Sequence, residues 1–93
     1  MKYSETSSTS IKRGDHVTLH DGRTGKVQYI GRVKYLKGEW YGLRLDPGHA
    51  GKNDGSFRGM RYFKCPKGQG LFVTRKRVKS KLSSVSFIEK KPF

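Results

Sequence analysis

The sequence predicts an all-β domain, a small compact antiparallel barrel or strongly bent sheet with glycine-rich loops and little or no helix. Three observations lead there. Apolar residues recur with a period of two rather than the helical period of about 3.6. Twelve glycines and three prolines leave no clear stretch for a helix of ordinary length. Short aromatic-rich runs alternate with turn signals, which is the spacing of small β folds.

Taken in order, His16-Val17-Thr18-Leu19-His20 alternates and then meets a turn at Asp21-Gly22. Lys26 to Ile30 reads as a second strand. In the third, Tyr41, Leu43 and Leu45 share one face while Trp40, Gly42 and Arg44 share the other. Ser56-Phe57-Arg58 and Arg61-Tyr62-Phe63 read as further short strands, and Leu71-Phe72-Val73 as the last. Many glycines are expected at positive φ in turns, or where another backbone passes close by.

All twelve glycines fall between Gly14 and Gly70, which marks the folded unit as residues 11–79. Residues 1–10 are Ser/Thr-rich and are expected to form a disordered lead-in. Residues 80–93 are expected to be a basic C-terminal extension.

Only 32% of the 93 residues are hydrophobic, so the core must be modest. No apolar run approaches the roughly 20 residues that cross a bilayer, and the N-terminus has no signal-peptide pattern. The single cysteine, Cys65, cannot form an internal disulfide, which fits a reducing, cytoplasmic setting. Twenty-one Lys and Arg against seven Asp and Glu give a net charge of +14. That field favours anionic partners, whether nucleic acid, anionic lipid or acidic protein tails.

The segment Gly51-Lys52-Asn53-Asp54-Gly55-Ser56 stands out chemically. Asn and Asp tolerate left-handed backbone and bond to it, so the loop can be rigid without a core beneath. A rigid loop can present the Lys52 ammonium and Asn53 amide together to a carboxylate, with Asn53 also accepting from a peptide N–H. A solvated turn is the plainer reading of the loop alone. The eight aromatics between Tyr29 and Phe72 shift that balance, because a domain this small cannot bury them all. Trp40 is expected to face outward as a partner anchor, while Tyr41, Tyr62 and Phe63 are expected to pack in the core.

Several pieces in sequence order then resemble a CAP-Gly domain over about residues 14–78. They are Gly25 to Gly31, Gly38 to Asp46, Gly51 to Ser56, Arg61-Tyr62-Phe63-Lys64-Cys65 and Gly70-Leu71-Phe72-Val73. The resemblance implies a compact antiparallel fold that recognises C-terminal Glu-Glu-Tyr or Glu-Glu-Phe tails. α-Tubulin, end-binding proteins and cytoplasmic linker protein tails are the implied partners, on microtubules. It further implies that Gly51, Lys52, Asn53 and Asp54 form the acid-holding loop, with Tyr35, Trp40 and Phe72 as an aromatic groove and Thr74 beside it. Tyr35 stands where the family often has Phe, and Thr74 where some members carry Arg. The approach Asp46-Pro47-Gly48-His49-Ala50 is one residue longer than usual.

Other motifs lead elsewhere or nowhere. Gly51-Lys52 lacks the earlier glycine and the following Ser or Thr of a phosphate loop. His16 and His20 lie about 13 Å apart on a strand, too far to share a metal without further ligands. No catalytic set is visible and no cofactor is implied. Arg75, Lys76, Arg77, Lys79 and Lys81 form a basic cluster expected to act as an accessory electrostatic patch. The leading expectation is a non-catalytic, monomeric tail-binding module. A small basic β-barrel that stacks nucleic-acid bases, or a tubulin-folding cofactor module, is the alternative.

Overall fold

The alternation read in the sequence becomes alternation in burial. Val17, Leu19, Val27, Tyr41, Leu43, Leu45, Leu71, Val73 and Val78 form one buried cluster. Every strand of the main sheet contributes to it. The structure, a computed structural model, describes residues 10–82. Its strands are β1 (His16–Leu19), β2 (Thr24–Gly31), β3 (Trp40–Leu45), β4 (Ser56–Phe57), β5 (Met60–Arg61), β6 (Gly70–Val73) and β7 (Val78–Leu82). Five of them make an antiparallel sheet in the order β6-β3-β2-β1-β7, and β4 with β5 makes a separate hairpin.

Strand β3 lies inside the sheet and behaves as its pattern requires. Tyr41, Leu43 and Leu45 are buried, and Arg44 is exposed. Gly42 faces away from the aliphatic core yet is also buried, because the Phe63 ring lies over it. A Cβ at residue 42 would come within 2.5 Å of that ring and 3.1 Å of Phe72. The sheet therefore carries an aliphatic core on one side and an aromatic layer on the other.

The strand bounds differ from the sequence reading mainly at β2, β5 and β7, while β1 and β4 stop one residue short and β6 starts one residue early. Strand β2 is longer at both ends. The expected strand through Phe63 stops at Arg61, because the backbone N–H groups of Tyr62 and Phe63 turn inward to the Gly55 carbonyl, at 2.9 and 3.2 Å. Strand β7 runs to Leu82, three residues past the boundary expected at 79. It pairs with β1 from Leu19↔Val78 to His16↔Leu82, and its register shifts between Thr18 and Leu19. Val78 anchors it in the core at 4% exposure. Lys81 Nζ lies 3.3 Å from Asp15 Oδ2, and the Lys12 N–H donates to the same oxygen at 2.9 Å. An edge strand whose one buried apolar residue, Val78, is followed by Lys79, Ser80 and Lys81 reads in sequence as a solvated tail.

The basic segment before it is likewise structured, as a 3₁₀ turn over Arg75–Arg77. The expectations for residues 1–9 and 83–93 lie outside the described residues.

The β1–β2 turn carries a pH-sensitive tie. The Asp21 carboxylate accepts from the Arg23 guanidinium, at 2.7 Å to Nη2, and from the Arg23 backbone N–H at 3.0 Å. These bonds pull its pKa from 3.8 down to about 2. A depressed folded-state pKa means this contribution is present above pH 3.8 and fades as pH falls toward 2. Asp21→Asn should therefore lower stability near neutrality slightly and flatten the acid limb in that window. Thermal melts across the window measure it. An unchanged acid limb would show that the tie contributes nothing.

Candidate functional site

The segment Gly51 to Gly55 is pinned against β6 by backbone bonds on both sides. Lys52 N–H donates to the Gly70 carbonyl at 2.7 Å, and Gly70 N–H donates to the Asn53 carbonyl at 2.8 Å. Asn53 and Gly70 form an isolated antiparallel bridge. Glycine is required at the crossing points. A Cβ at residue 51 would meet the Gly70 carbonyl oxygen at 2.6 Å, and one at residue 70 would overlap the Asn53 side-chain oxygen. Gly55 adopts φ +98, and a Cβ there would overlap the Phe63 carbonyl oxygen.

Inside the loop, the two short polar side chains serve the backbone first. Asn53 Oδ1 accepts the Gly55 N–H at 2.9 Å. A backbone N–H can only donate, so this bond fixes the amide with its oxygen inward. The acceptor expected for a ligand N–H is thus already engaged. Nδ2 makes no hydrogen bond among the described residues, and every buried side-chain N or O there has a partner. Nδ2 is therefore on the surface, an open donor.

Asp54 turns the other way. Its Oδ1 accepts the Ser56 hydroxyl at 2.6 Å and the Ser56 N–H at 3.1 Å. Its Oδ2 lies 3.3 Å from Arg61 Nη2. The Ser56 bonds, helped by Arg61, hold the Asp54 carboxyl below its ordinary range. The loop's own negative charge is thereby neutralised. What it presents outward is the Lys52 ammonium, exposed and in no ion pair among the described residues, beside Asn53 Nδ2.

Next to it runs the aromatic layer. Tyr29 on β2 lies opposite Gly42, and Gly42 opposite Phe72 on β6. Into the space above Gly42 come rings from the segment after β5. Tyr62 and Phe63 approach Phe72 edge-on at 5.6 and 5.5 Å, Phe57 stands 6.3 Å from it, and Tyr62 lies 5.2 Å from Tyr29. Tyr62, expected in the core, is only half-buried and belongs to this layer, where its hydroxyl accepts the Lys34 N–H at 2.9 Å. Tyr41 and Phe63 are buried as expected, at 8% each, though Phe63 is on the aromatic side.

The other expected groove residues divide. Phe72 is the hub. Trp40 shares the outer face of β3, is half-buried and enters no ring pair among the described residues; its indole N–H donates to the Lys37 carbonyl at 2.9 Å. Tyr35 is 67% exposed and joins the layer indirectly. The Arg58 guanidinium lies 5.2 Å from the Tyr35 ring and 5.6 Å from Phe57, a cation held between two rings. Tyr35 and Arg58 are also the two described non-glycine residues with positive φ, 77 and 50. Their less favoured backbone is held in place by the surrounding contacts. Arg58 carried no sequence signal, since a lone Arg in a turn looks like solvated surface. Thr74 lies after β6, and its carbonyl accepts the Arg77 N–H at 3.0 Å.

Of the basic cluster, three members work inside the fold. Arg75 Nη1 donates to the Val78 carbonyl at 3.1 Å, Arg77 lies 3.9 Å from Asp21, and Lys81 pairs with Asp15. Lys76 and Lys79 are exposed and unpaired among the described residues. Cys65 is half-buried, and burial pushes its thiol pKa up, away from reactivity.

A five-stranded antiparallel sheet, edged by a glycine-locked loop and covered on one face by an aromatic layer, defines a small all-β domain class. The CAP-Gly domain family model matches residues 13–78. The chain belongs to the CAP-Gly family. It is 42% identical over 72 residues to mouse CAP-Gly domain-containing linker protein 3, covering 77% of this chain and 13% of that protein. It is 47% identical over 64 residues to tubulin-specific chaperone B of Dictyostelium discoideum, covering 69% and 23%. Among solved structures it resembles the Bik1 CAP-Gly domain with an ETF peptide from Bim1, at TM-score 0.58 and 33% identity, over 69% of this chain and 77% of that one. The chain thus spans less than a quarter of the length of either relative.

Proposed function

We propose that this chain is a non-catalytic, microtubule-associated binding module that captures acidic C-terminal tails ending in Tyr or Phe. The observation that carries this reading is the loop itself. Its Asp54 is neutralised from within, while an exposed Lys52 and an open Asn53 Nδ2 donor remain in a loop bridged to β6, the strand that carries Phe72. A terminal carboxylate or Glu side chain meets two donors there, and a terminal aromatic ring meets apolar faces. The Bik1 domain seen with an ETF peptide supports the same ligand class. α-Tubulin, end-binding and cytoplasmic linker protein tails are the partners that suit this chemistry, with the chain acting in the cytoplasm on microtubules. Its likeness to a tubulin-specific chaperone also suits a role in tubulin handling through the same groove. A nucleic-acid barrel would have no use for a loop arranged around a carboxylate.

The test is a peptide ending in Glu-Glu-Tyr, free or amidated at its terminus, titrated against the chain and two variants. Losing one charge-assisted bond should weaken binding about tenfold or more. Amidation and Lys52→Ala should each do so. Asn53→Asp keeps the oxygen that holds Gly55 but replaces the donors with an anion, and it should weaken binding further with little change in melting temperature. Equal affinity for free and amidated peptide would overturn carboxylate capture.

A further inference from the structure

Outside the aromatic layer, the outer face of the sheet carries an arrangement that works against its own stability. Lys26 on β2 and Arg44 on β3 are direct cross-strand partners. Both are exposed, and neither side chain makes a hydrogen bond or ion pair among the described residues. Like charges placed opposite one another on neighbouring strands repel.

Among the described residues, no acid pairs with either of them. Of the five described acids, Asp15 pairs with Lys81, Asp21 with Arg23 and Arg77, and Asp54 with Arg61. Asp46 is the one acid near the row, and its Oδ2 is taken by His16 Nε2 at 2.7 Å and by the Thr24 hydroxyl. Glu39, before β3, makes no ion pair among the described residues.

The position of the pair gives the repulsion a use. Arg44 lies opposite Gly70 on β6, the residue over which Asn53 sits. The row Asn53, Arg44, Lys26 therefore runs from the loop across the sheet, beside the aromatic row of Phe72, Gly42 and Tyr29. At its far end Lys26, Arg13 and Gln28 line a shallow cavity of about 310 Å³.

We infer that Lys26 and Arg44 form a second, electrostatic subsite for the acidic residues just upstream of a captured C-terminus. The inference rests on the capture reading above and adds to it the path of the ligand. Strands lie about 4.8 Å apart, so β6 to β2 is about 10 Å. An extended chain covers that in about three residues at about 3.3 Å each. An acidic stretch of this length brings carboxylates over Arg44 and Lys26 in turn and relieves their mutual repulsion. Residues further upstream leave the row and feel only a screened field.

The experiment compares the peptide Glu-Glu-Tyr with the same terminus preceded by about four further Glu residues, at about 0.01 M and 0.15 M salt. The chain is wild type, the double variant Lys26→Gln/Arg44→Gln, and Arg44→Glu. The longer peptide should bind wild type about fivefold tighter at low salt, with a smaller gain at the higher salt. The double variant should bind both peptides alike, with at most a modest loss for the short one, whose own Glu residues reach Arg44 but not Lys26. Arg44→Glu should raise the melting temperature, by pairing with Lys26, and bind the longer peptide more weakly than wild type does.

A length advantage that survives in the double variant would overturn the subsite, leaving only the general field of the basic surface. So would a double variant that loses the length series and the short peptide together. Loss of binding to a short single-stranded RNA in the double variant, with the peptide series intact, would overturn it in favour of nucleic acid. Failure of wild type to bind the short peptide at all would overturn terminal capture, and this extension with it.

Discussion

Adding a single methyl group at residue 55 should destabilise the domain by on the order of 3 kcal/mol and remove peptide binding with it. Two effects combine. Gly55 sits at φ +98, where an L side chain is strained by about 1–2 kcal/mol. A Cβ there would also overlap the Phe63 carbonyl oxygen, which is backbone and cannot rotate aside. Relief requires moving Phe63, whose ring covers Gly42 and packs 5.5 Å from Phe72. It also disturbs the Gly55 carbonyl, which accepts from Tyr62 and Phe63, and the Gly55 N–H, which holds Asn53. Loop, aromatic layer and ligand donors therefore fail together. Denaturant unfolding and peptide titration of Gly55→Ala measure both effects. Gly59→Ala is the control, since it shares positive φ but has open space around its Cβ. It should lose only the backbone strain. Equal behaviour of the two variants would show that the Phe63 contact is unimportant.

Removing residues 78–93 should unfold the domain or reduce its stability to a small remainder. Deleting β7 removes the buried Val78, whose burial is worth about 1.5–3 kcal/mol, and strips β1 of its outer hydrogen-bonding partner. It also leaves Asp15, 5% exposed, without the Lys81 ammonium. Total stability for a chain this size lies near the low end of about 5–15 kcal/mol. Little would be left. A cooperative melt at the wild-type temperature would overturn this. The electrostatic contribution of the basic segment is better measured by Lys76→Ala and Lys79→Ala, which leave the strand in place. If the two act as a diffuse patch, they should lower affinity for an acidic lattice at low salt while sparing a short peptide.

The main sheet was legible because its inward faces obey strict alternation. Val17 and Leu19, or Tyr41, Leu43 and Leu45, leave one possible orientation for their strands. The loop was legible because Gly-Lys-Asn-Asp-Gly is chemically unusual beside aromatics. Four features were hidden for physical reasons. Strand β7 is held by pairing and by one Val, so hydropathy gave no sign of it. Tyr62 looked like core because a Tyr beside Phe63 ordinarily is, and nothing local shows that the sheet is covered on both sides. The Arg58 position between Tyr35 and Phe57 depends on two loops meeting, which no local pattern records. The opposition of Lys26 and Arg44 follows from strand register, and the irregularity between Val27 and Tyr29 obscures register in the sequence.

Gly42 separates two packing systems that share strand β3 as their common wall. On one side, interlocked aliphatic side chains from five strands can open only when the whole sheet opens. On the other, rings brought in by a hairpin and its following turn are tied to the wall by few backbone bonds. Amide hydrogens should therefore exchange in two tiers, those of β3 only on global unfolding and those around Tyr62 and Phe63 through a cheaper, partial opening. The aromatic half can breathe while the other half stays shut, so a tail captured as proposed would slow the fast tier and leave the slow one nearly untouched.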